Sequence, residues 1–234
     1  TMGDFDFIDN TSSENIKMSN RLSFLKIIEI VSWWKSVGGS PKVEIAALEP
    51  LLWKDSNYKI HDVVSMLKDM NFIVTMTTNG STLSKHANLL KKAGLDLLRV
   101  SCHSLDSEIF RKITGGGNLE LVQSGILSAI AEGLKIKINR VLLKGHTHDL
   151  GEHINFINHH QITLKILDLY WTPSSAKMYN QYYVSPKEAL TPFINECHLI
   201  QNNIETSTGR HRKIYKTPNS GIVEFKIKES AEKP

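Results

Sequence analysis

Thiols are scarce in this chain. Its 234 residues include two cysteines, Cys102 and Cys197, which excludes a disulfide framework and points to a reducing compartment. No run of 18 apolar residues occurs, so no transmembrane helix is expected. The first residues lack the charged, apolar, small-residue order of a signal peptide. A cytoplasmic protein is the expectation, with no membrane partner. Nor is there much charge of one sign: 28 Lys and Arg stand against 24 Asp and Glu, a net charge of +4. That is a mild attraction for polyanions, and nucleic acid is not an expected partner. With 41% hydrophobic and 22% charged residues, the composition is that of an ordinary globular protein able to bury one large core.

The clearest pattern begins at Val74-Thr75-Met76-Thr77-Thr78-Asn79-Gly80, an apolar run that stops at two threonines and Asn-Gly. An amphipathic stretch follows from Thr82 to Ala93, Gly94 stops it, and Leu95 to Ser101 is a second apolar run. Strand, polar turn, helix, glycine and strand make a βαβ unit and imply a parallel sheet. Ligands of such sheets sit at the carboxyl ends of the strands, where Thr77, Thr78 and Ser101 fall.

The rest of the chain repeats this plan. Residues 1–20 are polar and aperiodic and are expected to be a flexible leader. Helices are predicted over 21–37, 58–70, 119–132, 149–159 and 186–201, the last with proline in its first turn. A short helix follows Asp106, a plausible N-cap residue, and Gly115-Gly116-Gly117 breaks it. Strands are predicted over 42–47, 135–143 and 162–169. Residues 170–183 read as a polar and aromatic loop, and 211–215 with 222–227 as a closing hairpin. Residues 228–234 form a charged tail. About five strand–helix units with right-handed crossovers would make an α/β partial barrel of five to six parallel strands, one body over 21–227.

Thr77-Thr78-Asn79-Gly80, Ser101, Leu105-Asp106, Phe110-Arg111-Lys112-Ile113-Thr114, Gly125-Ile126, Gly133-Leu134 and Lys137-Ile138-Asn139-Arg140-Val141 resemble, in order and spacing, the radical S-adenosylmethionine superfamily. The likeness runs from about Leu22 to Ile227 and is greatest to the GTP 3′,8-cyclases of molybdenum cofactor biosynthesis. Glu49-Pro50-Leu51-Leu52 looks like the end of the family's Gly-Gly-Glu-Pro motif. The resemblance implies a TIM-like partial barrel with S-adenosylmethionine as cofactor. Ala47, Leu48, Glu49 and Pro50 would then meet its amino group. Thr77 and Ser101 would meet its carboxylate or ribose side, with Thr78 and Asn79 beside them. Lys137 and Asn139 would supply further polar ligand contacts. Hydroxyls, an amide and an ammonium at neighbouring strand ends suit a small zwitterionic ligand bearing a ribose.

The departures from the family are as informative. Its members carry Cys-x3-Cys-x2-Cys upstream of the position of Leu22, and those thiolates hold a four-iron, four-sulfur cluster; residues 1–20 contain no cysteine. The motif's Gly-Gly is Ala47-Leu48, an arginine that follows Glu-Pro in the cyclases is Trp53, and an arginine on the sixth strand is Lys165. Cys197 lies upstream of the cyclases' second set of cluster cysteines. No iron–sulfur cluster is expected from this chain.

Other candidates have plainer readings. Cys102 beside His103 could be a nucleophile and base, but alternation puts Cys102 on the face opposite Ser101, which favours a buried inert thiol. His146, His148, Asp149 and His153 could ligate a metal, although a five-residue step suits one helical face poorly. The triple glycine could cradle phosphate but matches no phosphate-loop pattern. Arg210-His211-Arg212-Lys213 could meet an anion or be a solvated hairpin. Glu49 could brace the helix that follows it.

Three functions remain open, and catalysis is undecided. The chain could be a degenerate, cluster-free member that binds S-adenosylmethionine or a nucleotide, as a non-radical enzyme or a partner subunit. It could be part of an active radical enzyme of the cyclase type whose cluster segments lie elsewhere. Or it could be a structural module that binds a protein through the basic hairpin and the aromatics of 170–183.

Overall fold

The computed structural model describes residues 21–46, 48–205 and 210–228, and of 203–205, 210, 211 and 226–228 only the backbone. The expected leader, Ala47 and the tail beyond Lys228 lie outside the described residues. The chain divides into two compact units, changing from one to the other at Arg99/Val100, Phe110/Arg111 and Lys135/Ile136.

In the first unit, α1 (Phe24–Ser36) starts where the Ser23 hydroxyl accepts the Lys26 N–H at 3.2 Å. Its apolar residues are less sunk than the periodicity suggests: Phe24 and Val31 are buried, while Leu25, Ile30, Trp33 and Trp34 are exposed. After β1 (Lys42–Ile45) comes a 3₁₀ turn at Pro50–Leu52 and a small antiparallel pair, β2 (Lys54–Asp55) and β3 (Tyr58–Lys59). Helix α2 (Ile60–Asp69) begins two residues later than expected because the Asp62 carboxylate accepts the Lys59 N–H at 2.7 Å. It buries Ile60, Val63, Val64 and Leu67. Strand β4 (Ile73–Thr78) lies parallel to β1, with Lys42 opposite Ile73 and Ile45 opposite Met76.

The helix expected over 82–93 is broken into a 3₁₀ turn, Leu83–Lys85, and α3 (Ala87–Lys92). β5 (Leu97–Ser101) follows. Asp106 caps α4 (Ser107–Thr114), accepting the N–H groups of Glu108 and Ile109, both at 2.9 Å. Helix α5 (Leu119–Ala131) is capped by Asn118 and packs on the 3₁₀ turn at Gly125. A Cβ on Gly125 would lie 2.8 Å from the Leu83 Cβ and 2.9 Å from the Gly80 carbonyl oxygen. The helix therefore presses on the turn that follows Thr77-Thr78-Asn79. Gly125→Ala should cost about 1–3 kcal/mol by overpacking, read as a lower urea midpoint at unchanged slope. A midpoint equal to wild type would show that the turn yields freely.

In the second unit, β6 (Ile136–Val141), α6 (Leu150–His160) and β7 (Thr163–Leu167) form another βαβ unit, with Lys137 opposite Thr163 and Asn139 opposite Lys165 in parallel register. The aromatic stretch 170–183 is not all loop, since it holds α7 (Ala176–Tyr182). The helix expected over 186–201 is corrected to α8 (Pro186–Leu190). Thr191 precedes Pro192, which has no N–H to donate and disfavours helix at the residue before it. Residues from His198 onward instead form a strand that sequence reading missed, β8 (His198–Glu205). It pairs antiparallel with β9 (Arg210–Lys216), and β9 with β10 (Ile222–Lys228), so the closing hairpin is one half of a three-stranded meander. β10 then lies parallel to β7, Glu224 opposite Lys165. The architecture is the expected α/β one: mostly parallel strands with an antiparallel C-terminal end. Among the described residues no helix is long and apolar enough to cross a membrane.

Candidate functional site

In the first unit the Glu-Pro turn keeps the shape a glycine would favour without having one. Leu48 sits at φ +47°, in the left-handed region, with its side chain 71% exposed. Next to it, the Glu49 carboxylate accepts the Leu51 N–H at 3.0 Å, the Thr78 hydroxyl at 2.6 Å and the Asn79 N–H at 2.7 Å. Three predicted site residues, Glu49, Thr78 and Asn79, are thus brought together. The bond to Leu51 braces the turn that follows, the alternative role that the sequence left open, and the bonds to Thr78 and Asn79 tie that turn to a second loop, which sequence reading did not anticipate. Pro50 is buried at the start of the 3₁₀ turn.

Thr77 points elsewhere. Its hydroxyl meets Glu44 Oε1 at 3.1 Å, and Glu44 also holds Arg99 at 2.8 Å, with Arg99 a further 3.3 Å from the Thr75 hydroxyl. Sequence reading missed Glu44 and Arg99; the signal was a charge flanked by apolar residues inside each strand. An apolar cavity of about 600 Å³ lies between α1, β1, the Glu-Pro turn and α2. Apart from Arg21, Glu44 and Glu49 its lining is almost wholly hydrocarbon and Trp53, which suits packing better than a zwitterion or a ribose.

In the second unit Ser101 ends β5 half-buried, while Cys102 is fully buried. Burial pushes the Cys102 thiol up to about 12, and its sulfur lies 3.4 Å from the Ser104 carbonyl. Burial likewise pushes His103 down to about 4, and its Nδ1 accepts the Val141 N–H at 3.3 Å. A protonated thiol beside a neutral, backbone-bonded imidazole is no activated nucleophile.

Lys137 and Asn139 share a face of β6. Lys137 donates to Glu224 at 2.8 Å, and Arg212 reaches the same carboxylate at 3.1 Å. Burial alone would raise Glu224, but hydrogen bonds from Lys137 and Arg212 hold it below the usual carboxylate range. Arg212, expected on a solvated hairpin, is therefore tied into the sheet; the side chains of Arg210 and His211 lie outside the described residues. Asn139 Oδ1 is buried with no hydrogen-bond partner among the described residues.

On the opposite face Arg140 is wholly buried. It meets Asp149 at 2.5 Å, the His146 carbonyl at 3.1 Å and the His153 ring. Asp149 also accepts the Ser104 hydroxyl at 2.7 Å and the Leu105 N–H at 2.6 Å. Burial would raise Asp149, yet Arg140 holds it far below the usual carboxylate range. His148 lies outside this knot, 3.6 Å from Asp106. The histidines weighed as metal ligands are thus split between core and surface. Among the described residues no three His, Cys, Asp or Glu side chains gather as a metal site.

Two cysteines cannot supply the three thiolates of a four-iron, four-sulfur cluster, and one of them is a buried thiol. The residues present do not fit that group.

The model of the Radical SAM superfamily matches residues 9–157. The GTP 3′,8-cyclase of Limosilactobacillus fermentum is 35% identical over 168 residues, 70% of this chain and 49% of that one. The chain spans about half the length of the curated relatives it matches. Among solved structures, Streptococcus suis SuiB bound to the precursor peptide SuiA aligns with a TM-score of 0.55 at 18% identity, over 72% of this chain and 39% of that one. Coproporphyrinogen III oxidase from Escherichia coli, described as a radical SAM enzyme, aligns with a TM-score of 0.54 at 10% identity, over 87% and 63%. At these identities the structures speak for the fold alone, a partial TIM-like barrel. The family match covers more than half of the sequence, and on that ground the chain belongs to the radical SAM superfamily.

Proposed function

We propose that this chain is a cluster-free radical SAM barrel that binds S-adenosylmethionine or a related nucleoside at its strand ends, as a non-radical enzyme or a partner subunit. One observation carries the reading. The family match begins at residue 9, upstream of Leu22, and residues 9–20 within it hold no cysteine. The resemblance expects the cluster thiolates upstream of Leu22, and this stretch offers none to hold iron. Supporting it are the polar residues that the resemblance assigns to the ligand, Thr77 in the first unit and Ser101, Lys137 and Asn139 in the second, and in the first unit the Glu49 carboxylate that, beside Pro50, bonds Thr78 and Asn79.

A second reading has an observation of its own: the chain covers only 49% of the Limosilactobacillus relative, as a piece of a cyclase-type radical enzyme would. Isothermal titration of the purified chain with S-adenosylmethionine, S-adenosylhomocysteine and GTP separates the two, with iron and sulfide assayed after anaerobic reconstitution. The proposal expects no cluster and a Kd of about 1–100 µM for one nucleoside, some −5 to −8 kcal/mol. A stoichiometric cluster on this chain, or silence from all three ligands, would overturn it.

A further inference from the structure

The charges around Glu224 bear on which ligands the inner face of the second unit can accept. Register puts Lys137 and Asn139 on β6, Lys165 on β7 and Glu224 on β10 along one face of the sheet. Arg212 of β9 joins them through Glu224. Glu224 is 5% exposed and takes both Lys137 and Arg212 as hydrogen-bonded counter-ions. Beside it is a cavity of about 100 Å³ lined by Lys165, Asp168, Tyr170 and Glu224 among others. Three cationic side chains therefore stand with two carboxylates on or beside this face, close to charge balance.

A face that holds a polyphosphate leaves its lysines and arginines for the ligand. Here a carboxylate of the protein's own has taken two of them. A triphosphate would have to displace Glu224 from a buried position or lie beside it, like charge against like charge, where water screens little. A ligand with an ammonium and one carboxylate meets no such conflict. Its ammonium brings the sign opposite to Glu224, and its single carboxylate sets far less like charge beside that residue than three phosphates do.

We infer that Glu224 is a specificity-determining residue, which by holding Lys137 and Arg212 makes this face select a phosphate-free, charge-balanced nucleoside or amino acid over a nucleoside polyphosphate. The inference rests on the ligand-binding reading above and narrows its substrate class.

The test compares the wild-type chain with Glu224→Gln, titrating each with inorganic triphosphate, GTP and S-adenosylmethionine at low salt. The glutamine keeps the shape and removes the charge, so Lys137 and Arg212 become available. Wild type should bind triphosphate no better than about millimolar, and Glu224→Gln at least tenfold tighter. Triphosphate should also raise the Tm of the variant and leave that of wild type unmoved. Micromolar triphosphate or GTP binding by wild type overturns the inference, as does a folded variant with no gain. If Glu224→Gln does not fold, Lys137→Gln with Glu224→Gln removes the buried mismatch and still frees Arg212, and the same gain is required of it. The S-adenosylmethionine arm on wild type tests the ligand-binding reading separately, since the triphosphate comparison stands whether or not that nucleoside binds.

Discussion

Asp149→Ala is expected to destabilise the protein by about 3–5 kcal/mol, because it leaves the buried Arg140 guanidinium without its counter-ion. Asp149 joins three pieces of the second unit. Its Oδ1 holds Arg140 of β6, its Oδ2 accepts the Ser104 hydroxyl and the Leu105 N–H, and its backbone starts α6. Truncation thus strands a charge and two donors at once. The loop after Ser101 loses its anchor, so on the ligand-binding proposal nucleoside affinity should fall along with stability. Urea titration checks the first effect and calorimetry the second. The pair is not required for bulk stability as such, since replacing both partners by apolar residues of similar volume is often neutral or better. Arg140→Met with Asp149→Leu should therefore recover most of the loss while leaving Ser104 and Leu105 untethered. If Asp149→Ala alone costs less than about 1 kcal/mol, water reaches the guanidinium and the knot is not a buried pair.

Those contacts mark where the sequence could and could not be read. The βαβ plan was legible because apolar runs at period two and amphipathic runs at period 3.6 alternate from Lys42 to Leu167, with glycines at the stops. Cys102 was legible for the same reason, as the alternation that sends Ser101 one way sends Cys102 into the core. The breaks came where tertiary context decides. Residues 198–205 carry too many polar side chains to read as a strand, and pairing with β9 organises them. The turn at Leu83–Lys85 is amphipathic enough for helix, yet the approach of Gly125 lies against it.

The candidate site shows the same divide at the level of side chains. That Thr77, Thr78, Asn79 and Ser101 fall at strand ends followed from register alone. Their hydrogen-bond partners did not, because Glu49 meets Thr78 and Asn79 across about 30 residues, and Lys137 meets Glu224 across 87. No local pattern encodes pairs so distant. What the sequence offered was a hint: Glu44, Arg99 and Glu224 are charges set inside apolar strands, and a charge half or wholly buried in a sheet needs a partner. Charged residues in strands are therefore the ones to test first for a role at the inner face, ahead of the threonines that a motif picks out.

Acid should unfold this protein early, well above the ordinary carboxylate range. His103 and His153 are buried and neutral in the folded state. Burial holds them at about 4 and about 3, the Arg140 charge adding to burial at His153, against an ordinary 6.5. A group whose folded value lies below its unfolded one gives stability that is present at neutral pH and is lost as the pH falls below the unfolded value. The loss begins near pH 6.5 and can reach about 1.4 kcal/mol per pH unit for each histidine, or roughly 4 kcal/mol for the pair by pH 5. That is a large share of the ~5–15 kcal/mol that holds a typical domain folded. Asp149 adds its own loss only lower down, since a carboxylate held below its ordinary value gives up stability as the pH falls through and beneath the usual range near 4. Urea midpoints at pH 7, 6 and 5 should therefore fall steadily, before any carboxylate titrates. His103→Gln with His153→Gln should flatten that slope, whatever the double change does to stability at pH 7. The slope isolates proton linkage from lost packing, because a packing defect shifts all three midpoints alike. An unchanged slope in the double variant would place the acid sensitivity elsewhere and return both imidazoles to solvent-accessible, titrating positions.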